Sequence, residues 1–263
     1  MIDFHIHTSL SHDSEEEMEN YIKKAIDNGD KIIGFAEHYD YDAFLDGELS
    51  LTNLDEYYAK ICDMRAKFGQ IEVLFGIELG YNKLTVDKFN EVLNKYPFDF
   101  VINSVHNVEG EGDFVERYFK GRTKEQAYLH YFNTVLKSLN DGFDFDVVGH
   151  LGYVSRYWKG EDKSVVFDEY KDVLTKILTE IIRQDKCLEI NTSSYGCGDD
   201  FLPNYQIIQA YVNLGGINLS FGSDSHKVAD YNRKIDLLVS KLKALGINKL
   251  CYYKARKRLY YDI

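Results

Sequence analysis

Seven short apolar runs, rich in β-branched and aromatic residues, are spaced along this chain with a helix-length stretch after each, and that alternation limits the fold most. The runs cover residues 2–5, 31–36, 71–77, 98–104, 145–149, 187–191 and 217–221, and helical patterning follows near 15–28, 54–68, 86–94, 124–139, 165–183, 205–214 and 230–245. Near-continuous apolar runs, as opposed to alternating ones, read as parallel strands buried on both faces. Gly29, Gly142, Gly215 and Gly246 fall where helices should stop, matching the preference for glycine just past a helix end. Seven βα units predict an α/β protein, a TIM-like barrel one unit short of the usual eight. A barrel of that kind takes about 250 residues, so 1–263 is read as a single domain.

Two segments fall outside the repeat. Residues 249–253 are apolar enough for a last short strand before a basic, Tyr-rich tail, and 107–122 reads as a long loop. That loop carries Glu109, Glu111, Asp113 and Glu116, follows the fourth strand, and is expected to overhang the mouth of the barrel. A net charge of −12 argues against nucleic acid or anionic membranes as partners, because both need basic surface. Cys62, Cys187, Cys197 and Cys251 show no C-x-x-C spacing and are expected as reduced thiols. With no secretory pattern and no apolar run near the roughly 20 residues of a membrane span, a cytoplasmic protein is expected.

The chemistry lies at the ends of the strands. His5 and His7 close the first run, His38, His106 and His150 follow three others, Glu78 follows the third, and Asp224 with His226 follows the last. Parallel strands leave the barrel at one mouth, so the metal site is expected at the C-terminal ends of the strands. His5 and His7, two apart on a strand, should point the same way and share an ion, with Phe4 and Ile6 facing the helices and Asp3 orienting an imidazole. One buried histidine is ordinarily a hydrogen-bonded core residue. Five strands delivering His or Glu, plus an Asp-x-His, call for a cation instead.

The remaining candidates are less constrained. Asp13 reads either as a ligand of a second ion or as the N-terminal cap or first-turn acid of the next helix, beside Ser14 and Glu15–Glu17. His12 reads as a substrate contact or a solvated loop residue, and His130, inside a helical run, as packing.

The ordered set Asp3-x-His5-x-His7-Thr8, Glu37-His38, Gly76-x-Glu78, Ser104-x-His106, Gly149-His150 and Gly222-Ser-Asp224-x-His226 resembles the PHP (polymerase and histidinol phosphatase) superfamily. Residues 189–193, the Phe-Gly lead into Ser223, and Gly149-His-Leu151 with Arg156 are similar to its histidinol-phosphate phosphatase branch. The resemblance implies a distorted (β/α)7 barrel with a three-metal site of zinc, iron or manganese, holding two to three divalent ions. Carried over by position, His5, His7, Glu78 and Asp224 would hold one ion, Asp13, His38 and His226 a second, and Glu78, His106 and His150 a third. Asp13 stands where the family often has histidine, which favours a harder ion, and Gly152 stands where the branch commonly has an acid.

The implied activity is hydrolysis of the phosphomonoester L-histidinol phosphate, a step of histidine biosynthesis. The same site acting on phosphotyrosine or a general phosphomonoester or phosphodiester is the alternative. A catalytically silent domain is disfavoured, since a scaffold has no reason to keep so many buried ionisable groups. Arg156 is the candidate fork for the nonbridging phosphate oxygens, or else a surface arginine beside Tyr157 and Trp158. Asp224, with His226, is placed at the reacting centre and could relay a proton to the leaving group. Asn191 and Ser193 would bond near the phosphate or cap the next helix, and acids of the 109–116 loop would meet an ammonium or imidazole.

Overall fold

Strand and helix alternate along the chain as the apolar periodicity predicts. The structure, a computed structural model, describes all residues except 42–49, 109–111, 114–115, 195–196 and 198–199, and the side chains of 50, 112, 113, 116 and 117 are likewise outside the described set. The strands are β1 (Ile32–Asp40), β2 (Ser50–Leu51), β3 (Glu72–Gly80), β4 (Phe100–Ser104), β5 (Asn107–Val108), β6 (Gly112–Asp113), β7 (Val147–Val148), β8 (Cys187–Asn191), β9 (Leu219–Gly222), β10 (Lys249–Lys254) and β11 (Lys257–Asp262). The helices are α1 (Met18–Asp27), α2 (Leu54–Lys67), α3 (Val86–Lys95), α4 (Glu116–Phe119), α5 (Lys124–Ser138), α6 (Lys171–Arg183), α7 (Tyr205–Asn213) and α8 (Ile235–Ala244).

One curled sheet has the order β2-β1-β3-β4-β7-β8-β9, parallel throughout except for β2. The first apolar run does not form a regular strand. It lies between the two ends of this sheet through single bridges, Asp3 to Ile33 and Ile6 to Ser225, so the barrel is distorted at that seam. Gly34 N donates to Asp3 O at 2.9 Å and Asp224 N to His5 O at 2.8 Å, tying the segment to both neighbours.

The expected alternation fails there. Phe4 packs inward with Ala36, Leu74, Phe100, Ile102 and Val147, while Ile6 joins the outer core beneath the helices. Phe4 and Phe100 meet edge to face at 4.8 Å and fill the interior. Room for them comes from glycine: a Cβ at Gly76 would sit 2.0 Å from the Phe100 ring. Below them Cys251 and Tyr253 of β10 close the floor, and Cys251 Sγ lies 3.0 Å from Cys187 Sγ. The tail after β10 is itself a strand, since β10 and β11 form an antiparallel hairpin.

The helix ends follow local chemistry. Asn53, Thr123 and Asn204 cap α2, α5 and α7, and Thr123 with Gln126 completes a capping box. All four predicted stop glycines have positive φ. Three starts differ from expectation. α1 begins at Met18, a 3-10 turn over Phe167–Tyr170 precedes α6, and α8 begins only at Ile235, because Asn232 and Lys234 take positive φ. The predicted 107–122 loop holds the β5–β6 ladder and α4, and its Glu109 and Glu111 lie outside the described residues.

Candidate metal centre

Register delivers the central donors. β1 and β3 pair His38 with Glu78, so both side chains leave neighbouring strands on one face at the same height. Glu78 has no solvent exposure and is the hub. Its Oε1 lies 3.3 Å from His5 Nε2, 3.2 Å from His106 Nε2 and 2.9 Å from His150 Nε2, and Ser104 Oγ donates to it at 2.6 Å. Its Oε2 lies 3.4 Å from His7 Nε2 and 3.0 Å from His38 Nδ1. Asp224 Oδ1 is 3.3 Å from His7 Nε2 and 3.7 Å from His226 Nδ1. Asp13 Oδ2 stands 3.5 Å from His38 Nε2 and 3.0 Å from His226 Nε2.

All nine predicted donors therefore meet at one mouth. Asp13 is not a helix cap, because α1 starts five residues later and Glu17 occupies its N-cap position. His130 stays apart, stacked on Tyr118 at 5.9 Å.

The donor set fits cations. His5 Nε2, His7 Nε2, His38 Nδ1, His226 Nε2 and Glu78 Oε2 are buried without a hydrogen-bond partner, and such atoms carry a desolvation cost unless something binds them. His7, His38 and His226, then His5, His7 and Asp224, then His5, Glu78 and His150, each place ligand atoms within 4.8 Å of one another. Imidazole and carboxylate donors suit zinc, iron and manganese.

The charges respond to this crowding. Burial, with His38 and His226 beside it, pushes His7 well below the usual imidazole range. Burial opposes the charge on His5, yet Glu189 and Glu78 hold it well above that range. His106, against its burial, is pushed up to about 10 by Asp40 and Glu78. Glu78 and Asp224 are held far below the ordinary carboxylate range despite burial, by the imidazoles around them. The cluster draws positive charge to itself.

Carboxylates behind the donors fix the rings, and sequence reasoning did not assign them. Glu189 Oε1 accepts from His5 Nδ1 at 2.5 Å, and its Oε2 accepts from His150 N at 2.8 Å and Asn191 Nδ2 at 3.1 Å. Gly222 makes this contact possible, since a Cβ there would meet Glu189 Oε1 at 2.2 Å and His5 Cβ at 2.7 Å. Asp40 Oδ2 bonds His106 Nδ1 at 2.6 Å. Glu37 accepts from Thr8 Oγ1 at 2.6 Å and Ser11 Oγ at 2.5 Å, anchoring the turn that leads to Asp13. Asp3, expected to orient an imidazole, accepts instead from the backbone of Ser223 at 3.1 Å and of His5 at 3.4 Å. The available signal was the parity of β8: Glu189 shares a face with Cys187 and Asn191, which point inward.

At the rim, Arg156 donates through one terminal nitrogen to Ser193 O at 2.5 Å and Ser193 Oγ at 3.1 Å, and approaches Asp224 Oδ2 at 3.5 Å. Its guanidinium lies 4.6 Å over the Tyr153 ring and is not a free surface group. Asn191 Oδ1 accepts from Ser193 N at 2.8 Å, while Asn204 caps α7, so neither Asn191 nor Ser193 is a helix cap. His12 is half exposed and lines an adjoining cavity of about 640 Å³ with Asp13 and His226.

The sequence profile of the PHP domain matches residues 3–193. The chain is 30% identical to the histidinol-phosphatase of Lactococcus lactis subsp. lactis (strain IL1403), over 97% of this chain and 95% of that protein. It is 25% identical to the histidinol-phosphatase of Bacillus subtilis (strain 168), over 87% and 94% respectively. The crystal structure of histidinol phosphate phosphatase from Lactococcus lactis, complexed with zinc, L-histidinol and phosphate, superposes with a TM-score of 0.89 at 31% identity, covering 98% of each chain. The full-length matches reach Asp224 and His226, which lie beyond the profile. No described helix is long and apolar enough to cross a membrane.

Proposed function

The chain belongs to the PHP domain family and is a phosphoesterase of that kind, and on that premise we propose that it hydrolyses L-histidinol phosphate to L-histidinol and phosphate. The observation that carries this reading is the convergence of six histidines and three carboxylates around Glu78 with the Arg156 guanidinium at their rim. A relative seen with zinc, L-histidinol and phosphate supports the substrate.

In this reading His5, His7, Glu78 and Asp224 would hold one ion, Asp13, His38 and His226 a second, and Glu78, His106 and His150 a third. Bound divalent ions lower the pKa of water toward about 7 and neutralise phosphoryl charge. The chain itself supplies position and further charge, which phosphoryl transfer needs more than covalent help. Arg156, pinned by Ser193 and Tyr153, offers its remaining N–H groups to nonbridging oxygens. The imidazoles around Asp224 hold its carboxyl well below the ordinary range, so it adds fixed negative charge at the centre and is an acceptor before it could pass a proton to the leaving alkoxide. His226, a quarter exposed, stands where the cluster opens to solvent, and His12 lines the space where an organic group would project.

The test is a set of steady-state rates on histidinol phosphate, a simple alkyl phosphate, phosphotyrosine, phosphoserine and a diester, with metal content measured on the same sample. Histidinol phosphate should have the highest kcat/KM. A rate no better than that of the alkyl phosphate transfers the site to a general phosphoesterase.

A further inference from the structure

Resting on the phosphatase reading above, we propose that Arg233 is a second phosphate-binding arm of the site, closing on the phosphoryl group together with Arg156. A cavity of about 380 Å³ extends over Asp224 and His226, and both Arg156 and Arg233 line it. Arg233 belongs to no predicted motif, because the sequence pattern assigns 230–245 to a helix. The structure breaks that helix at its position.

The backbone around Arg233 is held out of its preferred conformation. Asn232 and Lys234, on either side, have φ of 58° and 55°. Non-glycine residues rarely accept this left-handed region, and persist there when surrounding contacts over-determine it. Both flanks are pinned. Tyr231 OH donates to Asp30 Oδ2 at 2.9 Å and Asn232 Nδ2 to the same oxygen at 3.3 Å, while Lys234 Nζ donates to Ser194 Oγ at 2.7 Å and Asp200 O at 3.0 Å. Lys234 thereby ties the Arg233 turn to the loop that carries Ser193, the residue that holds Arg156.

The side chain so presented is only 12% exposed, and its guanidinium lies 3.5 Å from Asp230 Oδ2. A guanidinium placed there has the fork geometry that binds a planar pair of oxygens bidentately. A phosphomonoester brings about two negative charges to a mouth that already holds Asp13, Asp224 and Asp230. One terminal nitrogen of Arg156 is already committed to Ser193, so a second guanidinium is what the anion lacks.

The experiment measures inorganic phosphate binding to the metal-loaded full chain by calorimetry. Arg233→Ala should weaken phosphate affinity by about tenfold to a hundredfold with metal content unchanged, since a charge-assisted contact is lost. KM for a phosphomonoester should rise by a similar factor while kcat changes less. Arg233→Lys should recover part of the affinity, and Arg233→Gln repeats the test should the alanine variant not fold. Wild-type phosphate affinity in Arg233→Ala overturns the proposal, as does an equal loss in Asp230→Asn, which would make the pair merely a brace for the turn. Because the probe is phosphate itself, the result does not depend on the organic group. A wild type that ignores histidinol phosphate would remove the substrate reading and leave this test intact.

Discussion

Replacing Glu189 by glutamine changes one atom and no volume, yet it should damage the metal centre without touching a metal-facing donor. The carboxylate accepts on both sides, from His5 Nδ1 at Oε1 and from His150 N and Asn191 Nδ2 at Oε2. A carboxamide has one acceptor oxygen. If that oxygen faces His150, the amide N–H groups face His5 Nδ1, which must then become the acceptor. The ring proton moves to Nε2, the atom 3.3 Å from Glu78, and that nitrogen can no longer bind a cation. If the oxygen faces His5, an N–H is driven against the buried backbone N–H of His150. The first arrangement removes a ligand nitrogen, and the second leaves a buried donor without its partner, at a cost of about 1–3 kcal/mol.

Losing the carboxylate behind a ligating histidine costs about tenfold to a hundredfold in metal affinity, which is about 1.4–2.7 kcal/mol and agrees with the hydrogen-bond figure. The assay is competition for zinc against a chelator of known affinity, with bound metal counted by elemental analysis. At least one equivalent should be bound that much more weakly in Glu189→Gln. Full occupancy at wild-type affinity would refute the reasoning, since no arrangement of the amide preserves both contacts.

Three other perturbations have defined outcomes. Glu78→Gln or His7→Ala should lower bound metal and remove most phosphatase activity while circular dichroism shows the fold retained, because Glu78 touches five imidazoles; full activity in both variants would disprove the shared centre. Arg156→Ala should lower kcat/KM for a phosphomonoester by about tenfold to a thousandfold, read from steady-state kinetics, because a contact to developing phosphoryl charge is worth a few kcal/mol. Gly76→Ala should destabilise the barrel by about 1–3 kcal/mol in urea unfolding, because its Cβ would enter the Phe100 ring. An unchanged midpoint would mean that the interior repacks freely.

The sequence carries the donors plainly and their supports poorly, and the reason is geometric. A donor at the end of an apolar run stands out, because a lone histidine or glutamate in a strand needs an explanation from within the strand. That is how His38, Glu78, His106 and His150 were legible. Glu189 lies in the same kind of run and Asp40 a few residues past one, but each acts on a ring delivered by a different segment: Glu189 on β8 holds His5, and Asp40 on β1 holds His106. Such pairs form only once register and curvature are set. The same limit explains Phe4. Alternation predicts its face correctly only for a regular strand, and the N-terminal segment meets its neighbours through single bridges.

That irregular seam connects fold to site. A regular strand at residues 2–7 could direct either Phe4 or the His5–His7 pair into the barrel, but not both. The break in alternation lets Phe4 fill the interior against Phe100 while His5 and His7 reach the mouth above it. Asp3 is one tie across the seam, accepting from Ser223 N, with burial raising its pKa to about 6. A carboxyl that resists ionisation in the folded state costs stability as pH rises from its ordinary 3.8 to about 6, and the full cost remains above that. The fold keeps it where the N-terminal segment meets the chain just after β9, bonded to Ser223, the residue before Asp224. The distortion of the barrel is therefore what brings donors from the two ends of the chain to one centre.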